Sequence, residues 1–165
     1  MEQFYYTVAC VLFCICGLCV GSFLNVVIYR LPRGMNLAKP ASHCTSCGHE
    51  LAWYDNIPLF SFLFLRGKCR YCGVRISPRY FLVELINAAL WLVCAAVFYD
   101  GKEGLFTAIV YALFLSVLLV MAVTDMENLF LPDSLQIALF ILALCALATD
   151  LSAWQEKLCG LLLGG

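Results

Sequence analysis

Hydrophobic residues in this chain come in long unbroken runs rather than at the spacing of an amphipathic helix or a half-buried strand. Phe4 to Ile28 is 25 residues without a charge, Leu82 to Tyr99 is a second run broken only by Glu84 near its entrance, and Leu105 to Thr124 is a third. About 20 apolar residues carry a helix across the hydrocarbon core of a bilayer, so each run predicts a membrane span. Ser134 to Thr149 makes a fourth if Leu129 to Leu131 belong to the membrane region, and Leu158 to Gly165 begins a fifth. Positions 30–81, by contrast, are polar and rich in turn residues. The pattern predicts an all-α polytopic membrane protein: about four transmembrane helices plus the start of a fifth, with one inserted loop domain. The boundaries fall at 1–29 for the first helix, 30–81 for the loop and 82–165 for the remaining membrane part.

Composition agrees, since 64% of the 165 residues are hydrophobic and 13% are charged. A soluble globule of this size could not remove that much apolar surface from water. The first run does not read as a signal peptide, because Glu2 precedes it and Arg30 and Arg33 follow it, the reverse of a basic start and a small-residue cleavage site.

Charge then supplies an orientation. Eight of the ten basic residues (Arg30, Arg33, Lys39, Arg66, Lys68, Arg70, Arg75 and Arg79) lie between positions 30 and 79, opposed there only by Glu50 and Asp55. Lysine and arginine accumulate on the cytoplasmic side of a span, so the loop is expected in the cytoplasm and the N-terminus outside. Alternation places Asp100 to Gly104 outside and Asp125 to Asp133 at the cytoplasmic face. Such a patch could also serve nucleic acid, but no base-reading helix or stacking motif accompanies it, and no nucleic-acid partner is expected.

Seven of the eleven cysteines (Cys10, Cys14, Cys16, Cys19, Cys94, Cys145 and Cys159) lie in or beside apolar runs and read as small hydrophobic fillers. The other four form two C-x-x-C-G elements, Cys44-Thr45-Ser46-Cys47-Gly48 and Cys69-Arg70-Tyr71-Cys72-Gly73, separated by 21 residues. Each puts two sulfurs on one tight turn, and four thiolates make a closed, structural zinc site with no position left for water. Two disulfides or a redox pair are the alternative, which a cytoplasmic location disfavours. His43 and His49 flank the first pair as possible substitute ligands or as plain solvated loop residues. Between the pairs, Leu59 to Leu65 is too apolar for a small loop to bury, and is expected either against the membrane face or helix bundle or as an ordinary buried strand.

Several segments, taken in order, resemble the N-terminal region of prepilin peptidases. These are Gly21 to Pro32, the two C-x-x-C elements, the Asp55-Asn56-Ile57-Pro58 turn, and Ile76-Ser77-Pro78-Arg79-Tyr80 leading to Glu84. Thr124-Asp125 followed by Leu131-Pro132-Asp133 is similar to that family's first aspartate motif. The resemblance runs through positions 21 to about 135. It implies a multi-pass enzyme of the inner membrane, serving type IV pili and type II secretion. Such an enzyme removes the leader from prepilins or pseudopilins at the cytoplasmic face and methylates the new N-terminus with S-adenosylmethionine. Residues 82–165 would then be the first part of its aspartic peptidase domain.

Hydrolysis by two carboxylates needs one ionised to take a proton from water and one neutral to polarise the carbonyl, a division achieved by splitting their pKa values. Asp125 closes an uncharged span; alone it reads as an interfacial carboxylate, and in the motif as one catalytic member. Asp133, after Pro132, is expected to cap the fourth helix. The family's second aspartate lies in a Gly-Asp pair, which these 165 residues do not contain, so the chain is expected to carry half of a dyad and to be incomplete. Loss of that partner would also suit a noncatalytic membrane adaptor that docks through its zinc knuckle, the competing reading. Glu84 reads either as a helix-end charge or as a contact for the basic leader or the new amine.

Overall fold

In the computed structural model, residues 1–129 and 131–148 are described. Five helices follow one another: α1 (Glu2–Arg30), α2 (Phe60–Phe64), α3 (Pro78–Phe98), α4 (Gly101–Asn128) and α5 (Asp133–Ala148). No strand occurs among the described residues. Three helices are long and apolar enough to cross a membrane, and α5 is a shorter apolar helix. At 1.5 Å per residue its 16 described residues reach about 24 Å. The run expected to begin a fifth span lies outside the described residues.

The helices alternate in direction. Tyr6 near the start of α1 faces Tyr99 just past the end of α3, with ring centroids 6.4 Å apart. At the opposite end Arg79 on the first turn of α3 pairs with Glu127 on the last turn of α4. The loop between α1 and α3 therefore shares one end of the bundle with the C-terminus of α4 and the start of α5.

Close approach of α1 to α3 depends on Gly17 and Gly21, four residues apart on one face. An ideal Cβ on Gly17 would lie 2.8 Å from Trp91 Cβ, and one on Gly21 would lie 2.8 Å from Glu84 Cα. The sequence between them, Gly-Leu-Cys-Val-Gly, is a small-xxx-small pattern, which lets helices in lipid gain van der Waals contact where no hydrophobic force drives them together. Buried polar side chains reinforce the contact. Asn87 Nδ2 donates to the Gly17 carbonyl at 2.7 Å, and Ser116 Oγ on α4 lies 2.8 Å from Asn87 Oδ1 while accepting Trp91 Nε1–H at 2.9 Å. Where lipid offers no hydrogen-bonding partner, these groups satisfy one another and the Ala112 carbonyl, which lies 2.8 Å from Ser116 Oγ.

Apolar packing fills the rest. Phe13, Trp91, Cys94, Ala95, Ala108 and Ala112 form one buried cluster; Leu24, Val27, Ile28, Val83, Val120 and Leu135 form a second, toward the loop. Many large apolar residues stay on the outside, among them Leu12, Ile15, Val93, Val97, Phe106, Phe140 and Ile141. Surface of that kind on every long helix is what a bilayer solvates. Of the cysteines read as fillers, Cys94 is buried, Cys10, Cys14 and Cys145 are half-buried, and Cys16 and Cys19 on α1 are exposed. Those two fill no interior gap; Cys159 lies outside the described residues.

Three loop expectations change. Leu59 to Leu65 contains the one-turn helix α2, not a strand, because Leu59 at φ 60° breaks the extended path and Phe60–Phe64 coils after it. Asp133 is exposed and is the first helical residue of α5 rather than its cap, placed where a carboxylate favours the helix dipole. Glu84 is neither exposed nor a loose helix-end charge: it is buried and accepts the Leu59 N–H at 2.8 Å.

Candidate metal centre and the Asp125 face

Each C-x-x-C-G element folds into the same tight turn. The Gly48 N–H donates to the Cys44 carbonyl and the Gly73 N–H to the Cys69 carbonyl, both at 2.9 Å. The glycines adopt φ of 70° and 71°, a left-handed conformation that side chains resist. Single antiparallel bridges, His43 with Glu50 and Lys68 with Arg75, close each element behind its cysteines. Across the junction the His49 and Tyr71 rings stand 3.6 Å apart.

The two turns bring Cys44, Cys47, Cys69 and Cys72 together, with all four sulfurs within 4.8 Å of one another and Cys44 to Cys72 at 3.9 Å. A tetrahedral zinc at about 2.3 Å from each sulfur would space them about 3.8 Å apart, so a contraction of under about 1 Å closes the site. The donor set fits electrostatically as well. Backbone N–H groups of Cys47 and Ser46 hold the Cys44 thiol down to about 6. The Val74 amide favours the Cys72 thiolate too, but loss of water and the neighbouring sulfurs of Cys69, Cys47 and Cys44 outweigh it and push that thiol up to about 11. Four thiolates cannot accumulate in so small a space unless a cation balances them. Among the described residues, the group that could hold a metal consists of these four cysteines; His49 is exposed, and the half-buried His43 instead places its ring against the Ala41 carbonyl at 3.0 Å.

Several ties hold the knuckle to the bundle. Arg30, buried at the end of α1, donates to the carbonyls of Asn36, Leu37, Pro40 and Ala41, which fixes the chain as it enters the first turn. Asp55, buried on a 3-10 turn, takes the Arg70 guanidinium at 2.7 Å and so joins the intervening segment to the second cysteine turn. Leu59 bonds Glu84, and Phe62 lies 5.4 Å from Phe81 between ring centroids, which seats α2 on α3.

Asp125 stands apart from the cysteines, one turn before the end of α4. Its carbonyl accepts the Leu129 N–H at 2.9 Å, while its carboxylate is exposed and carries no hydrogen bond or ion pair among the described residues. A free, solvent-facing carboxylate at the edge of a long apolar helix is open to a substrate that arrives along the membrane boundary. Thr124 beside it is buried with its Oγ1 unpartnered. Sequence reasoning missed the glycine face, although its small-xxx-small spacing was readable. It also missed the Arg79–Glu127 and Glu84–Leu59 links, for which no local signal exists.

Residues 15–98, half of the chain, match the family described as the Bacterial Peptidase A24 N-terminal domain. The chain is 47% identical over 151 residues to the prepilin leader peptidase/N-methyltransferase of Myxococcus xanthus, an alignment covering 90% of this chain and 43% of that relative. With the like-named protein of Klebsiella pneumoniae it shares 46% identity over 129 residues, covering 74% and 55%, and with that of Vibrio cholerae 36% over 141 residues, covering 81% and 54%. The chain thus spans about half the length of the curated relatives it matches. No solved structure matches it.

Proposed function

The chain belongs to the bacterial prepilin leader peptidase family, whose A24 N-terminal domain it carries, and on that premise we propose that it serves the cleavage of type IV prepilin and pseudopilin leaders with Asp125 as a catalytic carboxylate. The observation that carries this reading is the position of Asp125: unpaired and exposed, at the end of a membrane-length helix, on the end of the bundle that bears the cysteine knuckle. A leader emerging from the bilayer would present its scissile bond at that level.

In this proposal Asp125 supplies one of the two carboxylates that share the work of base and acid, taking a proton from water or polarising the carbonyl. Cys44, Cys47, Cys69 and Cys72 hold a structural zinc that keeps residues 42–76 folded over the end of the bundle. The knuckle, residues 30–81, and Asp125 face the cytoplasm, and the protein resides in the inner membrane; the surplus of arginine and lysine in the loop supports this orientation. The relatives are named N-methyltransferases, and in this proposal methylation of the new N-terminus would draw on S-adenosylmethionine.

The test replaces the matching segment of the Myxococcus xanthus relative with residues 1–148 of this chain and assays leader removal from a prepilin in detergent. The chimera should cleave, and Asp125→Asn should lower the rate by a factor on the order of 100 or more, the usual worth of acid–base catalysis, while Asp133→Asn leaves it unchanged. An Asp125→Asn chimera that cleaves as fast as its parent would sink the assignment.

A further inference from the structure

Between the C-terminal half of α1 and the loop lies a cleft of about 860 Å³ that reaches Cys44 and Cys69 at the edge of the knuckle and does not include Asp125. One wall runs along α1 from Cys19 to Arg30, about 16 Å along the helix axis. Another part of the lining comes from Ser61 and Phe62 on α2 and from Leu65 just past its end. Its character changes with depth. Near Cys19, Phe23 and Val26 the lining is apolar and belongs to a membrane-length helix; at the loop end it is guanidinium-rich.

The charges do not balance. Five arginines line the cleft (Arg30, Arg33, Arg70, Arg75 and Arg79) against two carboxylates, Asp55 and Glu84. Both carboxylates are engaged, Asp55 by Arg70 and Glu84 by the Leu59 N–H. On the cationic side, Arg30 is committed to backbone carbonyls and Arg33 reaches the Tyr29 carbonyl with one nitrogen. Arg79 is paired with Glu127 through one terminal nitrogen and keeps a buried Nε with no partner, while the exposed Arg75 guanidinium makes no hydrogen bond or ion pair among the described residues.

The cleft also opens toward lipid. Phe23 is 53% exposed, and α2 turns Phe60, Leu63 and Phe64, the last 84% exposed, away from the cleft on the side opposite Phe62. Because α2 is pinned at the level of Phe81 and Glu84, within the membrane-length part of α3, that outer face continues the lipid-facing surface of the bundle. An apolar trough that opens to the bilayer and ends at Arg33 and Arg75, neither of them in an ion pair among the described residues, matches an amphiphilic anion, and basic pockets between membrane helices on the cytoplasmic side are sites for anionic headgroups.

We propose that this cleft is a binding site for one anionic phospholipid, its phosphate held by Arg75 and Arg33 and its acyl chain laid along Cys19, Phe23 and Val26. The site would seat a boundary lipid between α1 and the knuckle.

The experiment reconstitutes the purified chain in vesicles of phosphatidylglycerol and phosphatidylcholine in equal amounts, extracts it in mild detergent, and counts retained lipid by native mass spectrometry. One phosphatidylglycerol per chain is expected. Arg33→Gln with Arg75→Gln should weaken its retention on the order of 30-fold, and Arg75→Gln alone, at a residue without partners, should do so in part with unchanged helicity. Arg66→Gln with Lys68→Gln, outside the cleft, should leave retention intact. Equal loss in both double variants would reduce the effect to general surface attraction and overturn the site. Displacement of the lipid by inorganic phosphate alone would reassign the arginines to a free anion, and one-for-one displacement by an apolar peptide bearing a carboxylate would reassign the cleft to peptide.

Discussion

Alanine at Gly17 or Gly21 should destabilise the bundle, although glycine to alanine inside a helix ordinarily stabilises by about 1 kcal/mol. The added methyl at Gly17 would meet Trp91 Cβ at 2.8 Å and Ala88 Cα at 2.9 Å, and at Gly21 it would meet Glu84 Cα at 2.8 Å. Carbon pairs settle at about 3.5–4.0 Å, so α1 must retreat from α3 by roughly 0.7 Å or more. Two of the atoms in the way are backbone and the third is a Cβ, so no flexible side chain can swing clear. Overpacking of this kind costs about 1–3 kcal/mol, which leaves a net loss of up to about 2 kcal/mol per site after the gain in helix propensity. Retreat also stretches the bonds from Asn87 to Gly17 and from Asn25 to Tyr80, now 2.7 and 3.0 Å. The same displacement relieves both clashes, so the double variant should lose less than the sum of the singles. Unfolding in mixed detergent micelles, followed by helical circular dichroism, measures this. Stabilisation by both single variants, or strict additivity in the double, would refute a shared contact between α1 and α3.

Three further outcomes follow from the loop and its orientation. Arg70→Ala should destabilise the loop more than Asp55→Asn, because the Asp55 side chain is 2% exposed and would keep an unpaired charge, whereas Arg70 at 47% can return to water; melting of the loop by limited proteolysis reads the difference. Chelation, or Cys44→Ser with Cys69→Ser, should abolish about one bound zinc per chain and expose residues 42–76 to protease while the long helices persist, and a metal-free loop that resists protease equally well would argue against the site. Cysteines placed at Asp100 and Met126 in a background free of other cysteines should label from opposite sides of the membrane, and equal labelling from outside would reject the orientation.

Much of this protein is legible along the chain because a bilayer imposes a simple rule. Backbone polar groups in lipid must be satisfied within a helix, so apolar length alone locates α1, α3 and α4. The cysteine cluster was equally readable, since ligand type and spacing are local properties of two short turns that meet through one metal geometry. Which residues tie those parts together was decided by the tertiary structure. Glu84, by sequence a charge near a helix entrance, becomes the buried acceptor for Leu59 only because the glycine face of α1 lets α3 come close and the loop folds back over it. Leu59 to Leu65 could not be told from a strand by hydrophobicity, because a short apolar run satisfies either period, and the left-handed turn at Leu59 settles it as α2. The cleft between α1 and the knuckle lies beyond any reading of the chain. Its arginines come from positions 30 to 79, and only the fold gathers Arg33 and Arg75 over one cavity while Arg70 is taken by Asp55 and Arg79 by Glu127.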